Sequence, residues 1–278
     1  MRRFADKVAV ITGAGSGIGR ALALDLAGRG ARLALSDIRE DRIAETVAAC
    51  VERGAQAKGY ALDVADRAAM LAHADEVVAE FGKANLVINN AGVALAASIL
   101  DMKWDDLEWV MNIDFWGVVH GTKAFLPHLI ASGEGHVVNI SSVFGLVGVP
   151  TQSAYNAAKF AVRGFTEALR QEMAIGRHPV GVSCVHPGGV RTNIARDSRA
   201  NAEFESSPVR ERFDQTMPTS PAKAAQIILR GVQANHARIL VGPDAYVFDA
   251  TARILGPFYQ RLTIGGARLA ELLGQSKR

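Results

Sequence analysis

The chain predicts a single α/β domain, a doubly wound seven-stranded parallel sheet with helices on both faces. Three observations carry that expectation. Short β-branched, apolar runs alternate with helical patterns, and no break in composition separates them. A glycine cluster joins the first run to the first helix. Small or polar residues follow the carboxyl end of one strand after another, which is where open α/β sheets bind ligands.

The elements follow in order. Lys7 to Thr12 (KVAVIT) reads as a strand buried on both faces. Gly13-Ala14-Gly15-Ser16-Gly17-Ile18-Gly19 comes next, then a helix from Arg20 to Arg29 closed by Gly30. Strand, glycine turn and helix form the context in which a loop cradles phosphates: small residues admit the backbone to a pyrophosphate, and the helix N-terminus presents free N–H groups. A glycine cluster alone could equally be a plain tight turn. The second strand, Arg32 to Ser36, ends at Asp37, 18 residues after Gly19. That is close to the spacing of about 20 at which an acid meets the adenosine ribose hydroxyls and repels a 2′-phosphate. Asp37 could also cap the helix read over Ile38 to Glu52. Arg39 beside it could pair with a phosphate instead.

Gln56 to Leu62 is the third strand, ending at Asp63-Val64, with Asp66 or Asp63 capping a helix from Arg67 to Phe81. Leu86-Val87-Ile88 runs into Asn89-Asn90-Ala91-Gly92. Trp104 to Ile130 is a long helical stretch with Asn112 near its middle, a position that more often holds a satisfied core group than a catalyst. His136 to Ile140 leads to Ser141-Ser142, Ser153 to Ala174 is a helix, and Val180 to Val185 leads to Pro187-Gly188-Gly189. A polar stretch at about 192–218 reads as a lid. Ser220 and Pro221 open a helix to Ala234, and Arg238 to Val241 is the seventh strand. The domain is thus read as 1–242, followed by an apolar tail with basic punctuation, 243–278.

Composition narrows the function. The net charge of +3 comes from scattered Lys and Arg, not the clustered stripe that nucleic acid needs. Cys50 and Cys184 have neither metal-like nor redox-like spacing, and the seven histidines show no ligand spacing, so no metal is expected. Two unpaired cysteines, no signal peptide and no run approaching a membrane span suggest the cytoplasm.

The centre of the chain is Tyr155-Asn156-Ala157-Ala158-Lys159. Residues four apart share a helix face, so Tyr155 and Lys159 point into the same space. A free phenol titrates near pH ~10, and a cation beside it lowers that value, so the pair reads as a proton donor and acceptor tuned toward neutrality.

Thr12 to Gly19, Asn89-Asn90-Ala91-Gly92, Ser142, Tyr155 through Lys159 and Pro187-Gly188, in that order and spacing over about residues 5 to 242, resemble the short-chain dehydrogenase/reductase family. The resemblance implies a Rossmann-type fold, a nicotinamide cofactor and a homotetramer or homodimer. It implies Tyr155 as acid/base, Lys159 as the cation that also holds the nicotinamide ribose, and Ser142, thirteen positions before Tyr155, as the residue that polarises the substrate oxygen, with Ser141 the lesser choice. Asn112, in the string Met111 to Gly117, would hold a water in the proton relay. Gly13, Gly15, Ser16, Gly17, Ile18 and Gly19 would line the pyrophosphate, and Asp37 and Ile38 the adenosine. Asp63 and Val64 would meet the adenine, Asn90 would brace the sheet beside the cofactor, and Ala91 and Gly92 would line the cofactor. Val190 and Thr192 would reach the carboxamide, and Pro187 and Gly188 would also line the cofactor.

The implied function is hydride transfer between NAD and an apolar secondary alcohol or ketone. Val93-Ala94-Leu95, Phe144 and Val149 supply the apolar character. One alternative is an NADPH-dependent carbonyl reductase, against which stand Asp37 and the lack of a basic residue at position 16. The other is a non-catalytic nucleotide-binding protein, which would not need the proton-handling set. The tail is expected to pack on the pocket or a sister subunit, with a membrane surface as the third reading.

Overall fold

The computed structural model describes residues 1–192, 194, 198–200 and 217–265. Nine strands and eight α-helices are assigned among them: β1 Val8–Thr12, α1 Gly17–Gly28, β2 Arg32–Asp37, α2 Glu40–Val51, β3 Ala57–Ala61, α3 Arg67–Phe81, β4 Leu86–Asn89, β5 Leu95–Ala96, α4 Trp104–Met111, α5 Gly117–Ala131, β6 Gly135–Ile140, α6 Ser153–Ile175, β7 Val180–Pro187, β8 Arg199–Ala200, α7 Pro221–Gln233, β9 Arg238–Val241 and α8 Pro243–Leu255.

Seven strands form one parallel sheet in the order β3-β2-β1-β4-β6-β7-β9. The order reverses between β1 and β4, and that reversal opens a crevice at the carboxyl ends of the strands. β1 shows why the sheet is covered on both sides. Ala9 and Ile11 join Leu22, Leu26, Leu33, Ile228 and Leu229 on one face. Val8 and Val10 join Met70, Val77, Phe125, Leu129 and Met173 on the other. Successive strand side chains point to opposite faces, so an unbroken apolar run needs helices on each.

The predicted seven-stranded sheet is present, with two differences. The helix read over 104–130 contains a π-turn, Asn112–Trp116, between α4 and α5. β5 and β8 pair in a separate two-stranded ladder, each too short to leave a periodic signal. The lid at about 192–218 lies mostly outside the described residues. In its described part the Arg199 guanidinium stacks 4.0 Å over Trp109 of α4 and pairs with Asp106 at 2.9 Å.

The tail breaks at Gly256-Pro257, where proline cannot continue a helix. α8 is followed by a 3-10 turn, Gly256–Phe258, and helical residues 259–265. Arg238 on β9 holds Asp249 of α8 at 2.7 Å. Among the described residues no helix is long and apolar enough to cross a membrane.

Candidate active site

The glycine loop is held shut from behind. Gly13 and Gly17 take φ of +64° and +54°, left-handed conformations that L side chains rarely adopt. A β-carbon on Gly19 would sit 2.2 Å from the Gly13 carbonyl oxygen. Ser16 is the extended residue before α1, and Ile18 packs against the core. Asn90 braces the turn, its Nδ2 donating to the carbonyls of Thr12 and Gly13 at 3.0 and 3.2 Å. The Thr12 hydroxyl accepts from the N–H groups of Asn90 and Ala91.

Asp37 faces this loop. It accepts from Gly15 N at 2.9 Å and from Arg39 N at 3.0 Å. The Arg39 guanidinium grips Asp41 at 3.0 and 2.8 Å. Sequence reasoning missed Arg42: a β-carbon on Gly15 would come within 2.8 Å of the Arg42 Cβ as well as of the Asp37 carboxylate. Ile38 and Asp63 are exposed and Val64 is buried. Asp66, not Asp63, caps α3.

On the other side of the crevice, β7 ends at Pro187. Gly188 N donates to Val241 O, and Gly189 N donates to the carboxylate of Asp244 in the tail. Val190 bridges to Thr219, and Thr192 lies where a β-carbon on Gly17 would meet it at 3.2 Å.

Between the two sides sit the proton-handling residues. Ser142 ends the run after β6 and its hydroxyl oxygen accepts from Phe144 N at 3.1 Å. Buried His186 on β7 steadies Ser142 through its carbonyl at 2.9 Å. Burial pushes that imidazole down to about 4, so Nδ1 of the neutral ring is the donor. Ser141 turns away from the crevice, and its hydroxyl donates to the Lys159 carbonyl at 2.8 Å inside the core. Tyr155 stands in the first turn of α6 with the Phe144 ring edge-on at 6.2 Å. The Lys159 ammonium lies 5.4 Å from the centre of the Tyr155 ring.

Two expectations are corrected here. Asn112 does not reach this cluster: it is exposed, on the outer side of the π-turn. Two residues along a helix are about half a turn apart, so Asp114 comes inward instead. Asp114 is fully buried, accepts from Val93 N at 2.7 Å and pairs with Lys159 Nζ at 2.9 Å. The signal available was the single carboxylate between Glu108 and Glu134, in a stretch of apolar helical spacing. Second, burial holds the phenol of Tyr155 up against the pull of the Lys159 ammonium. Burial raises it above the ordinary tyrosine value, and the opposing pull of Lys159 and of the Ser142 hydrogen bond is countered by Asp114.

The short chain dehydrogenase family model matches residues 7–203. The chain is 56% identical over 267 residues to SadH of Mycobacterium tuberculosis, covering 96% of this chain and 97% of that protein. It is 34% identical over 255 residues to a C alpha-dehydrogenase of a Sphingobium species, covering 88% of this chain and 83% of the relative. A short chain dehydrogenase/reductase from Burkholderia phymatum, solved in complex with NAD, superposes with a TM-score of 0.86 at 31% identity, over 91% of this chain and 95% of that one.

Proposed function

The chain belongs to the short-chain dehydrogenase/reductase family, oxidoreductases acting on CH–OH groups with a nicotinamide cofactor, and from that premise we propose that Tyr155 is its general acid/base, acting on an apolar secondary alcohol and the matching ketone. The observation that supports this most is the convergence of Tyr155, Lys159 and Ser142 at the carboxyl edge of the sheet, beside the reversal of strand order. When bound, the nicotinamide supplies the hydride acceptor or donor. The residues present fit such a group. Gly13 to Gly19 leave a cradle that a β-carbon would fill, and the start of α1 offers its N–H groups to a pyrophosphate. Asp37 and Ile38 would hold the adenosine side. Val190 and Thr192 would meet the carboxamide, and Lys159 the nicotinamide ribose.

Ser142 receives an N–H from Phe144, and its own hydroxyl hydrogen, which faces Tyr155, is the one it would turn to the substrate oxygen. Tyr155 takes the hydroxyl proton in oxidation and returns it in reduction. Phe144 against Tyr155, with Val93 and Leu95 packed in one cluster with Ala154 and Ala158 on either side of Tyr155, supports an apolar substrate. NAD is preferred to NADP because Asp37 faces the loop while the Arg39 guanidinium is engaged by Asp41. A panel of apolar secondary alcohols offered with NAD and with NADP tests this by reduced-cofactor absorbance. NADH should form with members of the panel. Turnover of sugars alone would sink the apolar reading.

The tail, 243–278, is proposed as a wall of the pocket on one side and a contact between copies in a homodimer or homotetramer on the other. Gly148 N donates to the Tyr259 hydroxyl at 2.8 Å, tying the tail to the loop beside Ser142. Tyr246, Val247, Ile254, Phe258 and Leu262 face outward and exposed. Deleting the residues after Pro243 should change the oligomer mass or the substrate range. If both stay put while only the full chain sediments with liposomes, a membrane surface covers the tail instead.

A further inference from the structure

We propose that Asp114 is a positioning residue for the proton-handling pair: its buried carboxylate holds the Lys159 ammonium in place and offsets part of its charge, and so adds to burial in keeping Tyr155 a phenol, the proton-donating form, at neutral pH. The proposal rests on the reading of Tyr155 as the acid/base.

The geometry carries it. Asp114 and Lys159 are 2.9 Å apart, with side chains 0% and 4% exposed. Charges this far from water are weakly screened, so each strongly conditions its neighbours. Neither partner is free to turn away. The other carboxylate oxygen of Asp114 accepts from Val93 N at 2.7 Å, and Lys159 Nζ also donates to Ile140 O at 3.3 Å. The π-turn at Asn112–Trp116 delivers the carboxylate to this place, and such turns often mark functional sites. Gly92 leaves the room: a β-carbon there would lie 3.3 Å from Lys159 Nζ and 3.4 Å from Asp114 Oδ1.

A lone ammonium beside the ring would favour the phenolate. A carboxylate paired with that ammonium cancels much of its influence on the phenol. The groups that face the Tyr155–Lys159 pair on α6 are Asp114 from the π-turn, Ser142 from the loop after β6 and Cys184 from β7. Ser142 carries no charge. Burial pushes the Cys184 thiol up to about 12, so it stays neutral as well. Asp114 is therefore the anion facing the pair among the described residues. An asparagine at 114 could keep much of the shape without the charge.

The test is an ultraviolet titration of tyrosinate absorbance. Subtracting the Tyr155→Phe curve from the parent curve isolates Tyr155 among the four tyrosines. The same subtraction is repeated in an Asp114→Asn background. The Tyr155 midpoint should fall by about one pH unit or more in that background, and the pH midpoint of alcohol oxidation should move with it. A midpoint that stays or rises overturns the proposal, because a merely structural role would change the melting temperature and not the titration. Circular dichroism checks the fold, with Asp114→Ser as the second variant. Should neither fold, the parent decides, and a Tyr155 midpoint at or below neutrality overturns the proposal. The readout does not depend on turnover. Full activity of Tyr155→Phe would remove the acid/base assignment and leave the answer on Asp114 standing.

Discussion

Replacing Asp37 by asparagine tests which cofactor the loop after β2 is built for. The carboxylate is locked toward the glycine loop by Gly15 N at 2.9 Å and Arg39 N at 3.0 Å. A β-carbon on Gly15 would come within 2.8 Å of the Asp37 Oδ2, so glycine permits the approach. A 2′-phosphate placed here meets a like charge and no donor from Asp37. A mismatch of that kind costs about 1–3 kcal/mol, roughly a 5- to 150-fold preference for NAD. Asp37→Asn removes the charge, keeps one acceptor oxygen and turns an NH₂ toward one of the two N–H donors. The loop then loses one hydrogen bond worth about 0.5–1.5 kcal/mol. NADH binding should weaken by about 3- to 10-fold while the preference over NADPH shrinks by about tenfold. Fluorescence titration of both reduced cofactors into parent and variant measures each number. Equal affinities in the parent, or a ratio that Asp37→Asn leaves unchanged, would refute the reasoning and turn attention to Arg39 and Arg42.

Two further predictions concern the serines and the buried histidines. Ser142→Ala should lower kcat/KM by ~10²-fold, whereas Ser141→Ala should leave kcat/KM near the parental value and cost about 1 kcal/mol of stability through its lost bond to the Lys159 carbonyl; the reverse pattern in kcat/KM would exchange their roles. His73, His136 and His186 are pushed by burial down to about 4, about 3 and about 4. These folded values lie below the unfolded value of ~6.5, so the unfolded chain binds more protons as pH falls. Stability should be full above about pH 6.5 and fall toward about pH 4, by about 1.4 kcal/mol per pH unit for each histidine. His186→Asn, whose amide can still donate to the Ser142 carbonyl, should flatten that slope by about a third in denaturant melts. A midpoint indifferent to pH across this window would mean that these rings are not held neutral by burial.

Local pattern made much of this molecule legible, because local pattern is what builds it. The apolar run of β1 reports its two covered faces directly, and the glycines of the following turn are needed where a β-carbon would strike the Gly13 carbonyl or Asp37. Tyr155 and Lys159 could be paired from helix periodicity alone. The π-turn could not, since a shift of hydrogen-bond register leaves no mark on composition. In the folded chain position 112 faces outward and position 114, about half a turn on, faces inward, which sets a carboxylate beside Lys159. Contacts between distant segments were equally hidden. Tyr259 meets Gly148 across 111 residues of sequence, and Asp244 reaches Gly189 across 55. The two-residue strands β5 and β8 owe their pairing to that same long-range geometry, not to any periodicity of their own.

The central claim is that Tyr155 carries the proton. Tyr155→Phe keeps the ring that Phe144 packs against and removes only the hydroxyl, so the fold and cofactor binding should survive. With a substrate that the parent oxidises, turnover should drop by at least ~10²-fold while NADH still titrates at near-parental affinity. A variant that turns over at close to the parental rate would contradict the account.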